Sequence, residues 1–239
     1  ITLKAVRMLR EADVILYDAL VSREILQMVP AETPAFSVGK RAGEHSYKQH
    51  EINELIVELA FTHGHVVRLK GGDPCVFGRG SEELEFAARH GIKTQIVPGV
   101  SSAISVPASV NIPVTARGIS ESFWVVTGTT QAGAISGDVA LAAQSTATIV
   151  ILMGLTKLGE IVSLFEQAGK GSTPVAIIQN GTLPTQKSVV GTISTIEGFA
   201  AMEKISSPAV IVVGEVVRMA QGVEQVLRNL TQEEIKAAI

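Results

Sequence analysis

Apolar and polar positions along this chain follow two periods in alternation, one helical and one extended. Over residues 2–12, Leu3, Val6 and Leu9 recur at helical spacing, and Thr2 stands where an N-cap hydroxyl belongs. Val14-Ile15-Leu16-Tyr17 is a short apolar run ending at Asp18, as a buried strand does. Residues 22–29 read as a short helix stopped by Pro30, and 35–38 as a strand. The longest helix is expected over 47–63, with Ile52, Leu55, Ile56 and Leu59 on one face. A strand over 65–69 leads into a glycine-rich loop. Ser81 is then expected to cap a helix through Arg89, with Glu82 and Glu83 in its first turn. Residues 94–97 read as a strand ended by Pro98-Gly99, and 101–109 as a helix of small residues. Beyond a linker over 113–118, apolar strands are expected at 123–127, 148–153, 175–179 and 209–213. Helices are expected near 157–168 and 195–203, with a more exposed strand over 187–193 and a polar helix over 223–238.

Strands that alternate with helices predict an α/β fold with mostly parallel sheets. The break at 113–118 divides the chain into two α/β domains, 1–117 and 118–239. Ligands of such folds bind beyond the carboxyl ends of strands, often between domains.

Composition sharpens this picture. The chain has 239 residues, 46% hydrophobic but only 4% aromatic, so its apolar content is Ala, Val, Ile and Leu, as in buried sheets. That excludes disorder and collagen. A net charge of −3 is no footprint for nucleic acid. The lone Cys75 excludes an internal disulfide and points to a reducing, cytoplasmic compartment. No apolar run is long enough to span a membrane. Basic residues and all five histidines concentrate in the first half.

The loop Arg68-Leu69-Lys70-Gly71-Gly72-Asp73-Pro74, running on to Phe77-Gly78-Arg79-Gly80, carries the densest chemistry. Adjacent glycines let backbone amides approach a ligand, Asp73 can accept from an amine or a ribose, and Arg79 precedes a helix N-terminus suited to anions. It is neither a Walker A loop nor a dinucleotide fingerprint, which argues against a nicotinamide-dependent oxidoreductase. Val97-Pro98-Gly99-Val100-Ser101-Ser102 is a second strand-to-helix turn, whose Ser101 can simply cap a helix. Asp18 and Lys40 close neighbouring strands and can be a base and an acid, or an exposed ion pair. Met153, Asn180-Gly181-Thr182 and Arg117 have plain readings as core filler, turn and solvated cation. The histidines and Cys75 form no ligand pattern, so no metal is expected.

Taken together, Tyr17-Asp18-Ala19-Leu20-Val21-Ser22, Val38-Gly39-Lys40-Arg41, the Arg68 to Pro74 run, Val97 to Ser102, Ile112-Pro113 to Arg117, Asn180-Gly181-Thr182 and Ser207-Pro208-Ala209 resemble, in order, the signatures of the tetrapyrrole (corrin/porphyrin) methyltransferase family. The resemblance implies two α/β domains with a cofactor cleft between them. It also implies an N-terminal strand and Gly-x-Gly-Pro-Gly-Asp-Pro loop, missing here because the chain opens at Ile1-Thr2-Leu3. The implied activity is S-adenosylmethionine-dependent C-methylation of uroporphyrinogen III to precorrin-2 by way of precorrin-1, in siroheme- or cobalamin-type biosynthesis, with S-adenosylhomocysteine as product. The implied catalytic residues are Asp18 as proton acceptor, Lys40 as donor, and Arg79 and Glu82. Arg41, Arg117 and Met153 are implied substrate contacts, the arginines as clamps for a polycarboxylate. The implied cofactor residues are Gly71, Gly72, Asp73, Val76, Ser101, Ser102, Met153, Gly181 and Ala209. A homodimer is implied as well, with no nucleic acid or membrane partner. A sister enzyme acting on a later precorrin, and a tetrapyrrole-binding module without turnover, are the competing readings within the fold.

Overall fold

The computed structural model describes residues 1–39 and 47–220, and the chain divides there into two compact units, residues 1–101 and residues from Ser102 on. In the first unit, helix α1 (Leu3–Arg10) starts at Thr2, whose hydroxyl accepts from the Ala5 amide at 3.3 Å, as the sequence predicts. Strands β1 (Val14–Tyr17), β2 (Ala35–Ser37) and β3 (Val66–Leu69) form a parallel sheet in the order β2-β1-β3. Helices α2 (Arg23–Leu26), α3 (Gln49–His63) and α4 (Gly80–Arg89) complete the unit. Central strand β1 is buried on both faces. Val14 and Leu16 point to a cluster with Ile52, Ile56 and Leu59 of α3 and Ala87 of α4. Ile15 points the other way, to Leu9 of α1 and Ala12.

Three expectations for this unit change. Residues 94–97 form no strand among the described residues; the chain leaves α4 through Gly91 at φ 76°, the Ile92 amide folds back to the Ala87 carbonyl at 3.2 Å, and Ile96 and Val97 are only half-buried. Ser81 does not cap α4: Arg79, in the left-handed region, is the N-cap, and Ser81 lies exposed inside the first turn. Helix α2 is also shorter than expected, its remainder replaced by tight turns from Ile25 to Met28 and Leu26 to Val29.

The second unit opens with α5 (Ser102–Ala108) and continues through β4 (Phe123–Thr127), α6 (Gly137–Gln144), β5 (Thr148–Leu152), α7 (Leu158–Gln167), β6 (Pro174–Gln179), β7 (Lys187–Thr192), α8 (Ile196–Met202) and β8 (Ala209–Val213). The sheet order is β4-β5-β8-β6-β7. Only β4 and β5 run parallel; β8 is antiparallel to both β5 and β6, and β7 to β6. The expectation of mostly parallel sheets therefore holds for the first unit and not for the second. Alternation in the buried strands feeds two cores. Ile149, Ile151, Ile177 and Ile211 face Phe165 and Ile161 of α7. Val150, Leu152, Ile178 and Val212 face Ala103 and Val106 of α5. Helix α6 went unanticipated because its buried stripe, Val139, Ala142 and Ala143, is mostly alanine.

The division between the units lies at Ser101–Ser102, not at the expected 117/118. Ile112, Val114 and Ala116 pack into the α5 core, so the proline-bearing stretch is part of the second unit rather than a linker. The helix expected over 223–238 lies outside the described residues.

Candidate active site

The carboxyl ends of the parallel strands bring the first candidate residues together. Asp18 follows β1, Lys70 and Gly71 follow β3, and Gly39 follows β2. The exits crowd one another: a Cβ on Gly39 would stand 2.1 Å from the Ala19 amide nitrogen, so only glycine fits. Lys40 and Arg41, the next two residues, lie outside the described residues.

Four charged side chains close a ring at this edge. Arg68 Nη2 pairs with Asp18 Oδ1, and Arg68 Nε donates to Glu83 Oε1 at 3.2 Å. Lys70 Nζ lies 3.6 Å from Asp18 Oδ2 and donates to both Glu83 oxygens at 3.0 and 3.1 Å. Gln49 of α3 donates to Glu83 Oε1 at 3.1 Å and to Asn53 Oδ1 at 2.9 Å. Arg68, Lys70 and Glu83 are largely buried, whereas the Asp18 side chain is 30% exposed, so Asp18 is the open corner. The sequence reading named Asp18 and missed its partners. Their signal was present: Arg68 and Lys70 are two residues apart in extended chain, which places both cations on one face.

The Gly71-Gly72-Asp73 turn is fixed from behind. Gly72 takes φ 76°, and its carbonyl would lie 2.2 Å from a Cβ on Gly99. Asp73 Oδ1 accepts from the Cys75 amide at 2.8 Å and Oδ2 from the Gly99 amide at 3.0 Å. The carboxylate thus ties the loop after β3 to the Pro98-Gly99 turn, with lone pairs to spare. Gly71, Gly72, Cys75 and Val76 are exposed, which leaves backbone and a small apolar side chain open to a ligand.

Farther along, Phe77 and Arg79 hold left-handed φ values of 53° and 57°, strained for side-chain-bearing residues. Arg79 makes a bidentate pair with Glu82, Nε to Oε1 at 2.9 Å and Nη2 to Oε2 at 2.6 Å, both side chains half exposed. Hydrogen bonding to Arg79 holds the Glu82 carboxyl below its ordinary 4.5. The same bond raises Arg79. An exposed pair of this kind contributes about 0.3–0.5 kcal/mol. Because the folded value is the lowered one, that contribution is complete above 4.5 and is lost as pH falls through the folded value.

In the second unit, Met153 follows β5, Gly181 lies just past β6, and Ala209 begins β8. Leu152 pairs with Val210, and Gln179 with Ala209, so the three residues meet at one end of the sheet. Met153 takes φ 54° and is 53% exposed, which is not the core position a methionine usually fills. Gly181 is pressed onto α5: a Cβ there would meet Val106 at 2.4 Å. Ser102 begins α5, Ser101 closes the first unit, and Arg117 is exposed.

The sequence model of the tetrapyrrole (corrin/porphyrin) methylases matches residues 1–197. The chain belongs to this family. It is 46% identical over 92% of its length to the uroporphyrinogen-III C-methyltransferase of Methanocaldococcus jannaschii, covering 91% of that protein. It is 41% identical over 92% of its length to the siroheme synthase of Chromobacterium violaceum, of which it covers 47%. Its fold superposes on the uroporphyrin-III C-methyltransferase of Thermus thermophilus, crystallised with S-adenosylhomocysteine, with a TM-score of 0.77, 36% identity, and coverage of 91% and 92% of the two chains. The tetrapyrrole methylase fold is thus built here from one parallel and one mixed sheet, and the chain is a methyltransferase. Among the described residues of this methylase, no three His, Cys, Asp or Glu side chains gather as metal ligands, and no helix is long and apolar enough to cross a membrane.

Proposed function

We propose that this chain transfers methyl groups from S-adenosylmethionine to uroporphyrinogen III, giving precorrin-2 by way of precorrin-1. The observation that carries the reading is Asp18: a carboxylate at a parallel-strand exit, anchored by two cations and open on one side, one strand away from the Gly71-Gly72-Asp73 turn. When bound, S-adenosylmethionine supplies an electrophilic methyl group. In the first unit the residues present fit such a ligand, since Gly71, Gly72 and Val76 expose backbone and a small apolar side chain; the family resemblance adds Met153 and Ala209 of the second unit to the proposed set. Asp73, Ser101, Ser102 and Gly181 complete the proposed cofactor set.

An electron-rich pyrrole carbon needs no protein nucleophile. It needs positioning against the sulfonium methyl, whose S–CH3 bond breaks as the new C–C bond forms, and a group to take the proton that the macrocycle then gives up from another position, since the methylated carbon carries none. Asp18 accepts that proton in this reading, and Lys40 supplies one. Arg79, Arg41 and Arg117 hold the carboxylates of the tetrapyrrole, Glu82 orienting Arg79. Turnover of uroporphyrinogen III, assayed beside later precorrins, tests the assignment; methylation of a later precorrin alone would overturn it.

Arg79→Ala removes one charged clamp. It is expected to raise KM for uroporphyrinogen III about 10-fold, leaving affinity for S-adenosylhomocysteine within about twofold. Unchanged KM would take Arg79 out of the substrate site. The reading extends to a homodimer in the cytoplasm. Light scattering is expected to give twice the chain mass, and a monomer that turns over at full rate would remove the dimer from it.

A further inference from the structure

We propose that Glu83 is a positioning residue for methyl transfer: by holding Arg68 and Lys70 from the buried side, it sets the orientation of the Asp18 carboxylate. The inference rests on the reading of Asp18 as proton acceptor. Glu83 is only 6% exposed, yet its Oε1 accepts from three side chains, on β3, just after β3 and on α3. Two of those donors continue to Asp18, one to each of its oxygens. The ring is therefore two parallel arms, Glu83–Arg68–Asp18 and Glu83–Lys70–Asp18, with balanced charge.

The arms differ in stiffness. The Arg68 guanidinium is also fixed by its Nη1, which donates to the Leu69 carbonyl at 3.1 Å and reaches the Leu16 carbonyl at 3.5 Å. The described partners of Lys70 Nζ are the two carboxylates alone, and its stem is flexible. Without the Glu83 charge, two buried cations share one carboxylate. Their repulsion is relieved most easily when Lys70 swings toward solvent and draws Asp18 with it. Glu83 is itself placed by the first turn of α4, whose start is pinned through the Gly80 amide to the Pro74 carbonyl at 3.1 Å. The proton acceptor and the glycine turn thus share one anchor.

A double-mutant cycle on the whole protein tests this. Glu83→Gln is expected to lower kcat about 10–100-fold at unchanged KM, the scale of a displaced catalytic group. Calorimetry is expected to show S-adenosylhomocysteine affinity within about twofold of the parent, a level a misfolded unit would not keep. Asp18→Asn lowers kcat further, and the double variant is expected to be no slower than Asp18→Asn alone. Glu83→Asp, which keeps the charge one methylene short, is expected to fall between the parent and Glu83→Gln, and carries the same cycle should the glutamine variant not fold. Multiplicative losses in the double variant, or a Glu83 variant within twofold of the parent, would overturn the role of Glu83 and leave Asp18 standing. Full turnover in Asp18→Asn would overturn the reading of Asp18 and this inference with it.

Discussion

Asp18→Asn is expected to reduce turnover of uroporphyrinogen III by about 10²–10⁴-fold, the usual worth of a positioned proton acceptor. The substitution is isosteric, so the turn after β1 keeps its shape. It removes the charge that closes the ring with Arg68 and Lys70 and puts an amide where both cations need an acceptor. Breaking a fully buried pair costs about 3–5 kcal/mol. Asp18 is 30% exposed, so water can take up part of that loss, and a stability decrease of about 1–2 kcal/mol is expected. The two effects separate in measurement. A stability loss of that size leaves the protein folded at 25 °C, and S-adenosylhomocysteine binding is expected within about twofold of the parent. A turnover loss of less than about tenfold would show that another group takes the proton.

How far the site was legible in the sequence follows from what each residue needs. Val14 to Tyr17 announce a strand because β1 is buried on both faces and must be apolar throughout. The strand exit at Asp18 follows directly, as does the turn at Gly71-Gly72. The same logic misled at 94–97, where Ile96 and Val97 are half-buried without joining a ladder. It also gave no hint of strand direction in the second unit, because burial on both faces looks alike in parallel and antiparallel strands. Arg79 and Glu82 were readable as chemistry at a helix start. Glu83, their neighbour, was not: a glutamate in a first turn serves the helix dipole by default, and only folding brings it against Arg68, Lys70 and Gln49. The two compact units divide at Ser101–Ser102 rather than in the proline-bearing stretch for a related reason. Pro113 and Gly118 look like linker residues, but Ile112, Val114 and Ala116 between and beside them are core.

Gly99→Ala is expected to loosen the Gly71-Gly72-Asp73 turn, the proposed cofactor turn, more than any exposed substitution near it. The added Cβ would stand 2.2 Å from the Gly72 carbonyl oxygen, 3.0 Å from its carbon and 3.4 Å from the Asp73 Cα. All three are backbone atoms, so no side chain can swing aside. Either the Pro98-Gly99 turn or the Gly71-Gly72-Asp73 turn must move, and each movement lengthens the bond from the Gly99 amide to Asp73 Oδ2. Overpacking costs about 1–3 kcal/mol, and a lost hydrogen bond to a charged group about 1.5–3 kcal/mol. Shared strain makes the two less than additive, and a total near 3 kcal/mol is expected by chemical denaturation. Binding is expected to respond more sharply, because in the proposed site the glycine turn offers the ligand its backbone and can do so only in one position. Affinity for S-adenosylhomocysteine is expected to fall about 100-fold, which corresponds to 2.7 kcal/mol. Asp73→Asn provides the contrast: the amide oxygen can still take one of the two backbone bonds and adds no bulk, so its loss of affinity is expected to be about tenfold. Equal losses in the two variants would mean that Asp73 touches the ligand directly; a Gly99→Ala variant that binds like the parent would mean that the turn does not shape the cofactor site.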